Sequence, residues 1–344
     1  MRILITGGLG FIGSHLAERA LDRGDEATLL DNLSRPGTTL NLAHLTRRFG
    51  PRVKLVRADV RCDREAIDKA VSAADAVYHL AGQVAVTTSI ADPRADFEAN
   101  ALGTFNVLES IRRSANRPLL VFSSTNKVYG ALEHLAVVEQ ATRYAFRDRP
   151  RGASENEPLD FHSPYGCSKG IADQYVRDYA RIYGLRTVVF RQSCIYGERQ
   201  YGFEDQGWVS HFVISSLFGR KLTIYGDGKQ VRDLLHVDDL AAAFEAVTSR
   251  IDSLSGRIYN VGGGAENSLS LLELLSWIEK RTKKPVERAH AAWRQGDQPI
   301  FVCDTARAKA DFGFEPKVGV AAGLDRLATW TERHLDALRE IWAA

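Results

Sequence analysis

The 344-residue sequence has only four cysteines, Cys62, Cys167, Cys194 and Cys303, with neither a CxxC pair nor Cys/His ligand spacing. That scatter excludes a disulfide frame or a zinc ribbon and fits thiols kept reduced in a cytoplasm. The nine histidines also lack metal spacing, so no metal is expected. Long runs of lysine and arginine are missing and the formal net charge is +2, which gives no electrostatic reason to expect nucleic acid or an anionic membrane as partner. Acidic small molecules stay open. The stretch Ile3 to Ala17 carries no Asp, Glu, Lys or Arg, but Gly7, Gly8, Gly10 and Gly13 break it, and it is too short to span a bilayer. No small-residue cleavage site accompanies it, so a signal segment is not expected. Repeats, low-complexity tracts and flexible linkers are absent too. What remains, 44% hydrophobic and 26% charged, can bury a sizeable core as one large or two intimate domains.

Short apolar runs ended by polar or small residues predict buried parallel strands at 2–6, 26–31, 53–58, 76–80 and 119–123. Helical patterns over 12–23, 64–72 and 94–114 lie between them. That alternation implies right-handed crossovers and an α/β fold with a doubly wound parallel sheet. Further on, a helix is expected from about Pro164 to Tyr183, a strand at 186–191, a less regular stretch at 197–235, a helix at 236–250, a strand at 257–262 and an amphipathic helix at 269–281. We read residues 1–190 and 236–262 as a dinucleotide-binding domain, and 191–235 and 263–344 as a smaller, discontinuous α/β substrate domain.

Gly7-Gly-Leu-Gly10-Phe11-Ile12-Gly13 follows the first strand and opens the first helix. Small residues there let the backbone turn sharply and approach a pyrophosphate, which then lies against the positive end of the helix dipole. Asp31 ends the second strand about 20 residues on, followed by Asn32, where a carboxylate can accept both ribose hydroxyls. Asp31 would repel a 2′-phosphate, so NAD is expected rather than NADP; Arg35 is the one residue that argues the other way. Asp59-Val60 is placed for the adenine edge, and Leu80-Ala81-Gly82 for the pyrophosphate. The later Gly262-Gly-Gly264 reads as a tight connection, since one dinucleotide needs one such turn.

Tyr165-Gly-Cys-Ser-Lys169 is the most informative segment. A phenol and an ammonium four residues apart share a helix face, so the ammonium is expected to stabilise a phenolate and lower a pKa that is normally about 10. The same spacing in Tyr225-Gly-Asp-Gly-Lys229 reads as a turn, because two glycines and an aspartate separate the groups. Cys194 is expected to be a packing residue.

The Gly7 turn, Asn100-Ala-Leu-Gly103-Thr, Ser123-Ser-Thr125, Val128-Tyr-Gly130, Tyr165 to Lys169, Val231-Arg-Asp233 and the Arg294 to Asp304 tail together resemble the extended short-chain dehydrogenase/reductases that act on nucleotide sugars. The resemblance implies that Thr125 binds the reacting sugar oxygen, that Tyr165 is the acid/base, and that Lys169 tunes Tyr165 and holds the nicotinamide ribose. It also places Asn100 and Ser123 at the cofactor, and Asn126, Arg199, Gln206, Tyr225, Arg232 and Arg294 at the substrate, the last two arginines as clamps on its diphosphate. Dehydratases of this group carry an acidic residue after the hydroxyl residue. Here Asn126 and Lys127 stand instead, so dehydration is not expected. The string Leu159 to Gln174, with Arg199-Gln200, Asp205-Gln-Gly-Trp208 and Gly228 to Asp233, is similar to that of the CDP-tyvelose (CDP-paratose) 2-epimerases.

That likeness implies an isomerase in which hydride leaves a sugar carbon for NAD and returns to its other face, the keto-sugar swinging about its diphosphate anchor. By resemblance the carbon is C2 of a CDP-hexose. The residues alone argue only for an alcohol beside Tyr165, which leaves a UDP- or other sugar-nucleotide 4-epimerase, a 4-keto reductase and a non-catalytic dinucleotide sensor open. Relatives pair through the helix bearing Tyr165, and Ala172, Tyr175, Tyr179 and Ile182 could form such a face in a homodimer or homotetramer.

Overall fold

Five near-continuous apolar runs become β1 (Arg2–Thr6), β2 (Glu26–Asp31), β3 (Val53–Arg57), β4 (Ala76–His79) and β5 (Leu119–Thr125) in a computed structural model that describes residues 1–294 and 296–343. With Thr187–Gln192 and Arg257–Val261 they form one seven-stranded sheet, parallel throughout. From one edge the order is Arg257–Val261, Thr187–Gln192, β5, β4, β1, β2, β3. The chain winds outward in both directions from the β1/β4 boundary, and a doubly wound sheet binds its ligand in the crevice at that switch point. Helices cover both faces. One cluster packs Ile3, Leu29 and Tyr78 with Leu240 and Phe244; the other packs Leu4, Val77 and Phe122 with Val107, Ile111 and Val176.

A third cluster lies apart from the large sheet and gathers Val209, Phe212, Ile224, Leu234, Leu274 and Leu327 from the later chain. Val231–His236 is its central strand, paired with Cys194–Tyr196, Ser268–Ser270 and Ile300–Phe301. Leu222–Tyr225 pairs separately with Arg288–Ala291. Two stretches cross between the cores: Ala308, Phe312 and Phe314 pack under the large sheet, while Leu132, Leu135 and Ala153 join Phe301 and Cys303. Among the described residues no helix is long and apolar enough to cross a membrane.

The Ser163–Tyr183 helix begins with Pro164 in its first turn and ends at Gly184 in a left-handed conformation (φ 65°), as helix chemistry requires. Tyr165, Lys169 and Asp173 repeat every four residues and share one buried stripe. At the far end of that stripe Asp173 accepts two bonds of 2.9 Å from Arg191 and one of 2.7 Å from the Ser124 hydroxyl. The side chains of the pair are 1% and 3% exposed, so neither charge has water as an alternative partner. Arg191 also donates to the Tyr129 hydroxyl at 3.1 Å, and Tyr129 in turn donates to Asn260 at 2.7 Å. The helix is thus fixed in register to three strands of the sheet. Asp173→Ala leaves a buried guanidinium unpaired, and chemical denaturation should show a loss of about 3–5 kcal/mol.

Candidate functional site

Where β1 meets the first helix (Phe11–Asp22), Gly7 holds φ +67°, and a Cβ there would lie 2.9 Å from the Ala81 amide nitrogen. Glycine is required by both the dihedral and the close approach of the β4 end. The helix starts after Gly10 with no side-chain cap and no acidic residue in its first turn, which leaves its first N–H groups and the dipole free for an anion. Asp31 stands beside this turn, 7% exposed, and accepts the Leu9 amide at 3.0 Å and the Leu33 amide at 2.8 Å. Burial raises its carboxyl above the ordinary value, and the two amides oppose that shift. Each carboxylate oxygen keeps acceptor capacity for a hydroxyl.

Further along the same edge, Asn32 donates to Asp59 at 2.9 Å, and Arg61 pairs with Asp59 at 2.8 Å. Val60 packs in the core against Gly103. Leu80 and Ala81 bond back to Thr6, and Gly82 passes close under Asn100. Asn100 accepts the Gln83 amide at 3.0 Å and donates to Asp96 and Ser168 at 3.1 and 3.0 Å. It sits in a π-turn at Glu98–Leu102 that interrupts the expected 94–114 helix, and it holds the Gly82 turn to the Tyr165 helix.

These residues fit NAD: a glycine cradle that a Cβ would fill, an uncapped helix end for a pyrophosphate, and a buried carboxylate where a ribose would lie. Phe11, Ile12, Leu80, Gly82, Ser123, Tyr165 and Lys169 line one cleft of about 220 Å³. Arg35, the residue that argued for a 2′-phosphate, donates to Gln206 at 2.7 Å.

A second cleft, of about 290 Å³, opens on the other side of Tyr165. Thr125, Asn126, Gln206, Tyr225, Arg232 and Arg294 all line it, and Thr125, Tyr165, Cys194, Gln206 and Trp208 belong to both clefts. Arg232 donates to the Val231 carbonyl at 2.8 Å. Arg294 lies 3.7 Å over the Tyr225 ring and pairs with Glu204 at 2.8 Å. Arg199 does not reach this cleft. Its guanidinium bonds Glu18 at 2.5 Å and His44 at 3.1 Å, drawn to the first two helices by a carboxylate that it helps hold low, at about 2. Expected there as a substrate ligand, it ties the 199–207 segment to Glu18 and His44 on those helices instead.

The Tyr225 to Lys229 stretch behaves as a turn: Lys229 pairs with Glu139 and the Tyr225 hydroxyl with Glu204, so phenol and amine do not meet. Cys194 accepts the Trp208 indole N–H at 3.4 Å, and burial pushes its thiol up, as befits packing. Sequence reading missed Val84, Thr87, Trp208 and His211 as cleft residues. Trp208, His211 and Phe212 lie on the Trp208–Leu217 helix, whose apolar spacing was there to be read.

The expected electrostatics of Tyr165 need correction. Burial raises its phenol to about 12, a hydrogen bond with Thr125 opposes that shift, and the Asp96 carboxylate adds to it. Lys169 donates to the Ser123 carbonyl at 2.5 Å, lies 4.3 Å over the Phe122 ring, and is lowered to about 8 by burial. Helix spacing put both groups on one face, but burial is the largest influence on each and favours the neutral form of both. Among the described residues no cluster is arranged to hold a metal.

The NAD dependent epimerase/dehydratase family matches residues 3–262, and the chain belongs to that family. A CDP-paratose 2-epimerase of Salmonella typhi is 44% identical over 338 residues, covering 96% of this chain and 99% of that protein. Two solved structures are similar over nearly their whole length. A Thermus thermophilus UDP-glucose 4-epimerase in complex with NAD has TM-score 0.79 and 34% identity, covering 96% and 99% of the two chains. A Streptomyces venezuelae dTDP-glucose 4,6-dehydratase with NAD bound has TM-score 0.85 and 29% identity, covering 99% and 100%.

Lys169 titrates at about 8 in the fold against 10.5 for the free side chain, so between those values the unfolded chain binds the extra proton. Stability from this group therefore rises with pH from about 8 to 10.5. Tyr165 acts oppositely, from 10 to about 12. The gain in urea midpoint between pH 7 and pH 10 should be smaller in Lys169→Met than in the unmodified protein.

Proposed function

We propose that this chain is an NAD-dependent isomerase that inverts C2 of the hexose in a CDP-linked sugar by way of a transient 2-keto sugar. The observation that carries the reading is the presence of Thr125 and Tyr165 where the two clefts meet, with Lys169 beside them on the cofactor cleft. Support for the carbon and the base comes from the 44% identical relative named CDP-paratose 2-epimerase. The chemistry NAD supplies when bound is reversible hydride acceptance.

In this reading Tyr165 takes the proton of the C2 hydroxyl and gives it back after the ring has turned, while Thr125 holds that oxygen between the two events. A cationic nicotinamide near Tyr165 would draw its phenol down from about 12, as any nearby positive charge does. Lys169, held at the Ser123 carbonyl, is placed for the nicotinamide ribose. Arg232 and Arg294 grip the diphosphate, and Asn126, Gln206 and Tyr225 flank the sugar and nucleotide. Val84, Val86 and Thr87 line the same cleft and bring to it one hydroxyl and no charge, so they put no firm hold on a turning pyranose.

We also propose that residues 1–190 with 236–262 serve the cofactor and 191–235 with 263–344 the sugar nucleotide, and that the enzyme works in the cytoplasm. Tyr175, Ile182 and Tyr183 are exposed on the Tyr165 helix beside exposed Phe105, an apolar face suited to a homodimer. Ala172 and Tyr179 from the same expected face are buried within the chain.

The test is product analysis by NMR with CDP-, UDP-, GDP- and dTDP-sugars. Inversion at C2 of a CDP-sugar without net NADH is expected; inversion at C4, or stoichiometric NADH consumption, defeats the reading. Tyr165→Phe should lower turnover by about 10²–10⁴-fold while NAD stays bound.

A further inference from the structure

Lys127 leaves the same short turn as Thr125. The Thr125 hydroxyl accepts the Lys127 backbone amide at 3.2 Å and caps the Asn126–Tyr129 turn, so both residues start from one fixed piece of backbone. Lys127 lines the sugar cleft with Thr125, Tyr165 and Arg232. Its ammonium donates to the Gly296 carbonyl at 3.2 Å and to Gln298 Oε1 at 3.5 Å, both neutral acceptors, and it forms no ion pair among the described residues. An ammonium has three donors, so one is unassigned. Burial first and Arg232 second lower this amine to about 8, with Asp297 opposing them. Arg294, by contrast, is already paired with Glu204. Two neighbouring cations that share a cleft and repel each other are stabilised by an anion between them.

The chemistry of the substrate says which anion that is. In a hexose diphosphate, C2 is bonded to the carbon that bears the diphosphate, whereas C4 lies across the ring. A cation that leaves the Thr125 turn and shares the cleft with Arg232 draws the sugar-linked phosphate, and with it the anomeric end of the ring, toward Thr125 and Tyr165. That placement presents C2 to them and turns C4 away.

Resting on the C2 reading above, we propose that Lys127 binds the sugar-linked phosphate of the substrate and so determines which ring carbon meets Thr125 and Tyr165. The ring still turns about the bonds between C1 and that phosphate, because Lys127 holds the phosphate and not the sugar.

The experiment compares Lys127→Met and Lys127→Arg in the NAD-loaded enzyme, using calorimetry with CDP and with cytidine and NMR of the epimerised product. Lys127→Met should weaken CDP about tenfold or more and leave cytidine unchanged, since a charge-assisted phosphate contact is lost and the base contacts are not. Lys127→Arg should restore most of the CDP affinity. C2 inversion should fall in the Met variant and recover in the Arg variant. If Met weakens CDP and cytidine alike, Lys127 acts only by tethering residues 296–298 and the proposal is overturned. Unchanged CDP affinity overturns it equally. Inversion at C4 by the unmodified enzyme defeats the C2 reading itself and the ring-carbon assignment with it. These results are separable, because the binding comparison is independent of the carbon inverted.

Discussion

The buried pair between Asp173 and Arg191 is the constraint on which the site depends. A helix lying on a sheet can slide or roll by a fraction of a turn at small energetic expense if only apolar contacts hold it, whereas a bidentate ion pair away from water has one favourable geometry. Asp173 is one turn past Lys169 and two past Tyr165 on the same stripe, so fixing it against Arg191 and Ser124 fixes where the phenol and amine emerge. Thr125 follows Ser124 directly on β5. One network therefore sets all three groups of the proposed chemistry, and it does so from the far end of their shared stripe, leaving the Tyr165 end free for ligands.

The second organising element is the 199–208 segment, which walls both clefts. Arg199 ties it to Glu18 and His44, the Tyr201 ring packs on Gly37, and Gln206 accepts from Arg35, all on the cofactor side. At the cleft lined by Asn126 and Arg232, Glu204 holds Tyr225 and Arg294. A reaction that removes hydrogen from a sugar and gives it back profits from such shared walls, since neither partner should leave between the two half-reactions.

Much of this was legible in the sequence because it is local. Short apolar runs, glycine turns and carboxylates at strand ends each carry their meaning within a few residues, and the seven parallel strands stand where those signals put them or within two residues of it. The 197–235 stretch was opaque because its order comes from distant pairings: Cys194–Tyr196 on Val231–His236, and Leu222–Tyr225 on Arg288–Ala291. Arg199 was misread for the same reason, its partners being 181 and 155 residues away. Spacing placed Tyr165 and Lys169 on one face but said nothing of how deeply that face is buried, and burial decides the pKa of both.

The central claim is that hydrogen removed from C2 returns to the same sugar before anything dissociates. Turnover of a mixture of doubly labelled CDP-hexose, carrying deuterium at C2 and carbon-13 elsewhere in the ring, with unlabelled CDP-hexose measures this by mass spectrometry. The account predicts deuterium retained at the inverted C2 of carbon-13 molecules alone. Deuterium in unlabelled product, or its loss to solvent, would contradict it.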